Sequence, residues 1–283
     1  MPPSRTQGIL ALVLSICQLP LFGALVGVDQ FAYPDGAIEG QVGGAGFDFD
    51  ARLDNGPYTG ATGSSSDWDG VWGGATVVSG SLRTQATGAR REFNGPGEGA
   101  ASDEQAGVFE SANALSVVYV SVDITRQAGA TWGGVSAADL GSDSLFFGVP
   151  GTPSPVSGVR EFAIETAGGS GTPSYSGRAP IVGETVRMVI KIDTATELAT
   201  LFLDPDLSQT EISNTADATH PWPSGFGVGA LILASGGTGD CIFDNLVVAT
   251  VWEDLENALG PPIPVNDTIP AHPGSPVRAQ VVD

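Results

Sequence analysis

Apolar and polar residues alternate along most of the chain, and this period of two residues limits the fold more than any other feature. The stretch ETVRMVIKID, residues 184–193, shows the alternation most clearly. One face of an extended chain would carry Val186, Met188, Ile190 and Ile192 there. The residues TATE at 194–197 then turn the chain into LATLFLD at 198–204. Two alternating runs joined by a short turn predict a β-hairpin.

The rest of the chain continues this β pattern. Further strand-like runs lie at 75–83, 114–124, 144–149, 159–165 and 226–235, separated by segments rich in Gly, Ser, Thr and Pro. The sequence contains 40 Gly and 20 Pro. A short helix is predicted only in WEDLENAL, residues 252–259. Many strands with turn-rich connections favour an all-β fold, an antiparallel two-sheet β-sandwich.

The two ends of the chain depart from this pattern. Residues 1–27 combine one Arg, an apolar run and small residues, which is typical of a secretory signal peptide cleaved between Ala24 and Val28. A buried N-terminal helix is the alternative, but Pro20 would interrupt it. Residues 260–283 are Pro-rich and aperiodic, as in an extended tail. We therefore predict a secreted or cell-surface protein with one domain at 28–259 and no membrane span after signal cleavage.

Charge and cysteine content restrict the partners and the means of stabilisation. The 32 acidic and 11 basic residues give a net charge of −21. Such a charge repels nucleic acid and anionic lipid and attracts divalent cations, although general solubility explains it without any specific partner. Loss of the signal peptide removes Cys17 and leaves Cys241 alone. The exported protein then has no internal disulfide, so stability must come from core packing or bound ions.

Four stretches together resemble a known class of proteins. They are DQFAYPDGAIEGQVGG at 29–44, SDWDGVWGG at 66–74, VRMVIKIDTATELATLFLDPD at 186–206 and GALILASGGTGDCIFDNLVVATVWEDL at 229–255. These stretches are similar to those of bacterial secreted proteins of the LamG-like, concanavalin A-like jelly-roll class. The resemblance implies a two-sheet jelly roll that binds a polysaccharide or glycoconjugate or mediates adhesion, often with a structural Ca²⁺.

Catalytic patterns are weak, and we predict that the protein is not an enzyme. Glycoside hydrolysis needs two carboxylates about 5 to 9 Å apart. The nearest candidates, Glu161 and Glu165, are separated by about 13 Å of strand, and we interpret them as a solvated strand face. His220 and His272 are too few for a His-rich metal site and form no recognisable triad. The alternatives to a binding or adhesion module are a structural component of an extracellular layer or fibre, and a hydrolase or lyase with an unrecognised site.

Sugar binding calls for exposed aromatic rings beside polar side chains, because sugar C–H faces stack on rings and hydroxyl groups need hydrogen-bond partners. Trp132, Tyr175 and Trp222 lie in Gly- or Pro-flanked segments that are predicted to be loops, so they are the candidate carbohydrate-binding residues. Their alternative role is packing over a sheet edge. Trp68 and Trp72 are predicted to belong to the core at a strand edge.

A second candidate surface is an exposed sheet face. The residues Tyr119, Ser121 and Asp123 alternate there with inward-facing Val118, Val120 and Val122. The sequence leaves the choice between this face and the loop aromatics open, and it does not identify the glycan or the oligomeric state.

The stretch GDCIFDNLVVATVW, residues 239–252, reads as an apolar strand with Asp244 and Asn245 in its middle. Regular alternation would place Asp244 on one face with Leu246 and Val248, and a buried carboxylate there needs a partner. We predict that Asp244 and Asp29, from the first strand, bind a structural Ca²⁺. The alternative is a carboxylate that accepts N–H bonds from a tight turn or pairs with Arg187. Asn245 could join a metal site only if a β-bulge turned it to the same side.

Overall fold

Two antiparallel β-sheets stack face to face in the computed structural model. The structure describes residues 25–41, 44, 68–92, 117–139, 142–166, 172–221 and 228–258. In chain order the described strands are β1 Leu25–Asp29, β2 Gly36–Ala37, β3 Trp68–Val71, β4 Thr76–Val78, β5 Ser81–Thr84, β6 Gly88–Glu92, β7 Val117–Arg126, β8 Ala130–Asp139, β9 Ser142–Val149, β10 Ala163–Thr166, β11 Ser174–Tyr175, β12 Thr185–Asp193, β13 Leu198–Leu203, β14 Ala218–Pro221, β15 Ala230–Gly237 and β16 Cys241–Ala249. The helix α1, Glu253–Ala258, follows β16.

The strand order defines a sandwich of two large sheets. The first sheet runs β14-β13-β12-β7-β16-β5-β4-β2, and β1 pairs with β16 beside β5. The second sheet runs β11-β10-β9-β8-β15-β6-β3. The main hydrophobic core lies between them and takes side chains from both sheets. The predicted antiparallel β-sandwich of the jelly-roll class is therefore confirmed.

The predicted hairpin is present with the predicted faces. Strands β12 and β13 pair from Met188 opposite Leu203 to Asp193 opposite Leu198. The alternating apolar residues of β12 all belong to the core between the sheets: Val186, Met188, Ile190 and Ile192. The predicted helix after Trp252 is also present as α1.

Strand β16 contains a β-bulge at its polar pair. Its register against β7 shifts between Asp244 and Val247, and Asn245 adopts a left-handed backbone with φ 52°. The N-terminal half of β16 pairs with β5 and the C-terminal half with β1, so the bulge lies where the partner strand changes. The extra residue turns Leu246 and Val248 into the core with Phe243. The prediction that Asp244 shares their face is therefore wrong, and Asp244 is only half-buried on the outer side.

A layer of structure covers the outer face of the first sheet. Helix α1 and the preceding Trp252 pack there with Tyr119 and Val247 in a second apolar cluster. Tyr119 is 6% exposed and Ser121 0%. The interpretation of Tyr119, Ser121 and Asp123 as an exposed sheet face is therefore wrong for the first two residues.

Several strand predictions need correction. The segment around Trp132 is predicted to be a loop but belongs to strand β8; beyond Trp132 its outward positions carry only the small residues Gly134, Ser136 and Ala138, which hides the strand pattern. The run at 75–83 forms two strands, β4 and β5, joined by a turn at Ser79 and Gly80. The run at 159–165 becomes a strand only at Ala163. Glu161, which precedes it, is 6% exposed and is not part of a solvated face.

The predicted signal peptide and tail lie largely outside the described residues. Strand β1 nevertheless begins at Leu25, inside the predicted segment 1–27, and pairs with Ala249 of β16. A cut directly after Ala24 would leave β1 whole, whereas a cut after Gly27 would remove most of it. Neither α1 nor the other helical turns of the described ranges have the length and apolar character needed to cross a membrane.

Candidate functional site

The four described tryptophans divide into two pairs with opposite environments. Trp68 is fully buried and donates its indole N–H to Asp29 Oδ2 at 2.9 Å. Trp252 is also buried and donates to the Gln209 carbonyl at 2.8 Å. Among the described residues, no protein acceptor takes the indole N–H of Trp72 or of Trp132. Buried indoles usually find such a partner. The Trp132 Nε1 atom lies over Gly236, whereas the Trp72 indole is mostly exposed, so Trp72 carries the donor that is open to solvent.

Trp72 is held on the surface by a strained turn. It follows β3 and has a left-handed backbone, φ 54°, before Gly73 and Gly74, whose φ values are also positive. A bulky residue in this conformation costs free energy that the surrounding structure must offset. The indole is 58% exposed. The prediction of a core position is therefore wrong for Trp72 and confirmed for Trp68.

Trp132 lies on the outer face of the second sheet, where its ring covers a glycine. It stands opposite Gly236 of β15, and a Cβ on that glycine would overlap the indole. Phe146 of β9 is placed in the same way, because a Cβ on Gly134 would lie 2.8 Å from its ring. Glycines on neighbouring strands thus provide the flat floor on which the two aromatic rings rest.

The exposed Trp72 indole and the half-buried Trp132 indole form what we call the Trp72–Trp132 corner. Their ring centroids are 6.3 Å apart and the ring planes make an angle of 77°. Phe146 packs against the far side of Trp132 at 6.0 Å and 74°. These edge-to-face contacts are favourable aromatic geometries, so Trp132 is fixed from both sides while Trp72 remains open to solvent.

Small apolar and hydroxyl side chains surround the corner. Ala138, Ala230, Ile232 and Ala234 make an apolar patch on the outer sheet face against which Trp132 packs. Thr87 approaches Gly73, its methyl group 3.7 Å from the position a Cβ would take there. The corner thus combines ring faces with one nearby hydroxyl-bearing side chain, Thr87.

Tyr175, the other described candidate, does not join the corner. It belongs to β11, at the opposite end of the sheet order from β3, with β9 and β10 between it and β8. Its hydroxyl donates to the Pro153 carbonyl at 3.2 Å. Trp222 lies outside the described residues. Of the two predicted residues that the structure describes, Trp132 is the one that contacts the exposed Trp72 ring.

The carboxylate of Asp29 is surrounded by protein donors. It is 1% exposed and accepts hydrogen bonds from the Phe31 N–H, the Tyr33 hydroxyl, the Trp68 indole and the Arg91 guanidinium. The Arg91 Nη1 to Asp29 Oδ2 distance is 2.5 Å, with both side chains 1% exposed. Asp29 comes from the first sheet and Arg91 from the second, so this buried ion pair links the two sheets. Burial beside the Asp29 charge raises the pKa of Tyr33 above its ordinary range.

Asp244 also has protein partners. It accepts the N–H of Asn245 at 2.8 Å, as the hydrogen-bonded alternative predicts, and the hydroxyl of Ser81 at 3.4 Å. Burial raises the pKa of Asp244, and the nearby Asp123 and Asp29 charges raise it further. Arg187 pairs with Asp123 instead, at 2.8 and 3.0 Å, and Asn245 donates to the same carboxylate.

No group of three or more His, Cys, Asp and Glu side chains arranged to hold a metal occurs in the described ranges. The Arg91 guanidinium lies beside the Asp29 carboxylate, where a bound calcium ion would have to lie. The present contacts of Asp29 therefore do not fit those of a calcium ligand. Calcium binding by Asp29 and Asp244 stays a prediction.

Cys241 behaves as a small apolar residue. It is fully buried and free. Burial raises the pKa of its thiol to about 12, which removes the thiolate needed for nucleophilic chemistry. Glu165 and His220 have pKa values moved by burial as well, raised for the first and lowered for the second. His220 contacts Ser174 at 3.0 Å across the edges of the two sheets.

The sequence matches no protein-family model and no curated protein. Similar solved structures include a sialidase, at 10% identity and TM-score 0.42 over 65% of this chain and 17% of that chain. Domain 4 of a GH43 extracellular arabinanase from Geobacillus stearothermophilus, in complex with arabinotriose, matches at 10% identity and TM-score 0.41 over 82% and 98%. Metal-free lectin I-B4 from Griffonia simplicifolia matches at 11% identity and TM-score 0.41 over 68% and 95%. The chain thus spans about a sixth of the sialidase. Likenesses at this level assign no activity.

Proposed function

We propose that the protein is a secreted, non-catalytic module that binds carbohydrate at the Trp72–Trp132 corner. The observation that carries the proposal is the pairing of an exposed indole in a strained turn with a second indole, neither of which donates its N–H to a described residue. The two buried tryptophans show the opposite arrangement, with both N–H groups bonded.

Folding alone gives no reason for the placement of Trp72. Exposure of an indole forgoes the gain that its burial would bring, and its left-handed backbone adds strain. Strained backbone conformations cluster at functional sites. A sugar ring would recover the lost contact, since its C–H face can stack on the Trp72 indole while its hydroxyl groups meet the Trp72 N–H and Thr87.

The positions of the carboxylates favour binding of a glycan without its cleavage. Glu161 is buried, so the nearest acidic pair in sequence does not present two carboxylates to a substrate. The corner itself is built from indole rings, which stack on sugars but transfer no protons. Assays for new reducing ends or unsaturated products would detect an enzyme.

A structural component of an extracellular layer is the second candidate function. Isolated apolar side chains reach the surface at several places, among them Val156 at 95% and Ile212 at 94% exposure. Self-assembly of the purified protein in the absence of sugar would favour this role.

A glycan array tests the proposal directly. We expect the secreted protein to be retained on particular glycans and the Trp72→Ala variant to lose that retention. Ile212→Ala is the matched control, because it removes another exposed apolar side chain, away from the corner. Equal retention of all three proteins, or retention of none, would contradict the proposal.

A further inference from the structure

The shape and charge of the Trp72–Trp132 corner restrict the kind of glycan that it can take. Resting on the proposed function, we infer that the corner binds one uncharged sugar ring of a single soluble glycan chain, and neither a crystalline polysaccharide surface nor a polyanionic glycan. Ring angle, hydrogen-bond donors and electrostatics lead separately to this ligand class.

The angle between the rings excludes a flat ligand. A crystalline polysaccharide presents a plane, and several aromatic rings can stack on that plane only if they are coplanar. The Trp72 and Trp132 rings are inclined at 77° to each other, so no plane lies flat on both. A single sugar ring fits the corner instead, with its C–H face on Trp72 and its edge towards Trp132.

The size of the corner agrees with one sugar ring. The centroids are 6.3 Å apart in an edge-to-face contact, so the indoles touch each other and a sugar ring can stack only on the exposed part of Trp72. Phe146 closes the far side of Trp132 at 6.0 Å. A chain can therefore leave the corner only on the solvent side of Trp72, and longer oligosaccharides gain few additional ring contacts.

The hydrogen-bond donors favour hydroxyl acceptors. The exposed Trp72 indole has no described protein acceptor and offers a neutral N–H donor. A neutral donor suits a neutral sugar hydroxyl, whereas sulfate or carboxylate groups are bound most strongly by guanidinium or ammonium groups.

The positive charges that an anionic glycan would need are already engaged. Carboxylates hold five of the described cationic side chains, namely Arg83, Arg91, Arg178, Arg187 and Lys191. Arg126 and Arg160 donate to backbone carbonyls. Arg90, which lies on the same outer sheet face opposite Ile232, has an interaction partner as well.

A carboxylate borders the corner, and the chain as a whole is acidic. Glu39 borders the Trp72 turn, its Oε2 atom 3.5 Å from the place of a Cβ on Gly70. The net charge of the whole chain is −21. A polyanionic glycan is therefore repelled, most strongly at low ionic strength where the field is least screened.

A three-class binding panel tests the inference. The probes are soluble neutral oligosaccharides of two to six sugar units, oligosaccharides rich in uronic acid or sulfate, and washed powders of crystalline cellulose and chitin. Binding is measured at 20 and 500 mM NaCl for the wild type, Trp72→Ala, Trp72→Phe and Ile212→Ala. Circular dichroism melting of each variant confirms the fold.

We expect binding to a neutral oligosaccharide whose affinity is nearly independent of salt and of length beyond two units. Trp72→Ala should weaken it about 5- to 150-fold, the range of aromatic hot spots. Trp72→Phe should retain part of it, since a ring remains, and Ile212→Ala should change nothing.

Two different results would overturn different claims. Trp72-dependent retention on a crystalline powder, or Trp72-dependent binding of an anionic glycan at 20 mM NaCl, would refute the inference and leave the proposed function standing. The absence of Trp72-dependent binding in all three classes would refute the proposed function and the inference with it.

Discussion

Neutralising Asp29 should destabilise the fold more than any other single change to a described carboxylate. Asp29→Asn keeps the shape of the side chain but removes its charge from the buried Arg91, whose Nη1 lies 2.5 Å away. It also places an NH₂ group near donors that now point at oxygen, including the Trp68 indole. Breaking a buried ion pair on one side costs about 3 to 5 kcal/mol.

The expected change in melting temperature follows from the size of the domain. For a domain of this size, each kcal/mol lowers the midpoint by about 2 to 4 °C. Asp29→Asn should therefore melt roughly 6 to 20 °C lower than the wild type. Tyr33→Phe, which removes one of the four donors, should cost about 1.5 to 3 kcal/mol.

Asp35→Asn is the control, because Asp35 is exposed and, among the described residues, accepts a hydrogen bond from the Ser79 N–H alone. Thermal melts with EDTA and with added Ca²⁺ complete the test. The ion-pair account requires the same loss for Asp29→Asn in both conditions. A loss below 1 kcal/mol, or one that appears only with calcium, would refute the reasoning.

Four further outcomes are expected. Because burial raises the thiol pKa of Cys241 to about 12 from 9.0, the folded state holds this proton more tightly than the unfolded state. The stabilisation that comes from this proton is complete below pH 9 and is lost as the pH rises towards 12. Between pH 8 and 11 the melting temperature of Cys241→Ala should therefore fall less steeply than that of the wild type. Gly236→Ala should displace the Trp132 indole and weaken glycan binding while the first sheet stays intact, as titration with the glycan and circular dichroism would show. Addition of Ca²⁺ to metal-stripped protein should raise the melting midpoint if the calcium prediction holds, by about 2.7 kcal/mol of stability at a hundredfold excess over Kd, and an unchanged midpoint in the wild type and in Asp244→Ala would reject it. N-terminal sequencing of exported protein should find a start between residues 25 and 28, whereas an intact Met1 would reject the signal peptide.

The sequence predicts the sandwich because alternation is a local property that the structure preserves. Val186, Met188, Ile190 and Ile192 enter the core as predicted. The bulge at Asn245 follows instead from distant chain segments, since β5 and β1 meet β16 on either side of it. The local signal was the polar pair inside an apolar run, because Asn tolerates the left-handed backbone that a bulge can require.

The Trp72–Trp132 corner was harder to predict. Trp68 and Trp72 are four residues apart, so regular alternation places both on the same face. The strand ends at Val71, and Gly73 and Gly74 form the turn that exposes Trp72. The dipeptide Gly-Gly is a turn signal and could have separated the two residues. The contact between Trp72 and Trp132 depends on the strand order β3-β6-β15-β8. A local sequence pattern does not encode the order of strands in a sheet.

The central claim is tested most directly by titrating wild-type protein and Trp72→Ala with a glycan that the wild type retains, using isothermal calorimetry, and by melting both proteins in parallel. The account predicts that Trp72→Ala binds about 5- to 150-fold more weakly and melts within about 2 °C of the wild type, since the ring is 58% exposed. Unchanged affinity, or lost affinity together with a much lower melting temperature, would contradict the assignment of the Trp72–Trp132 corner as the binding site.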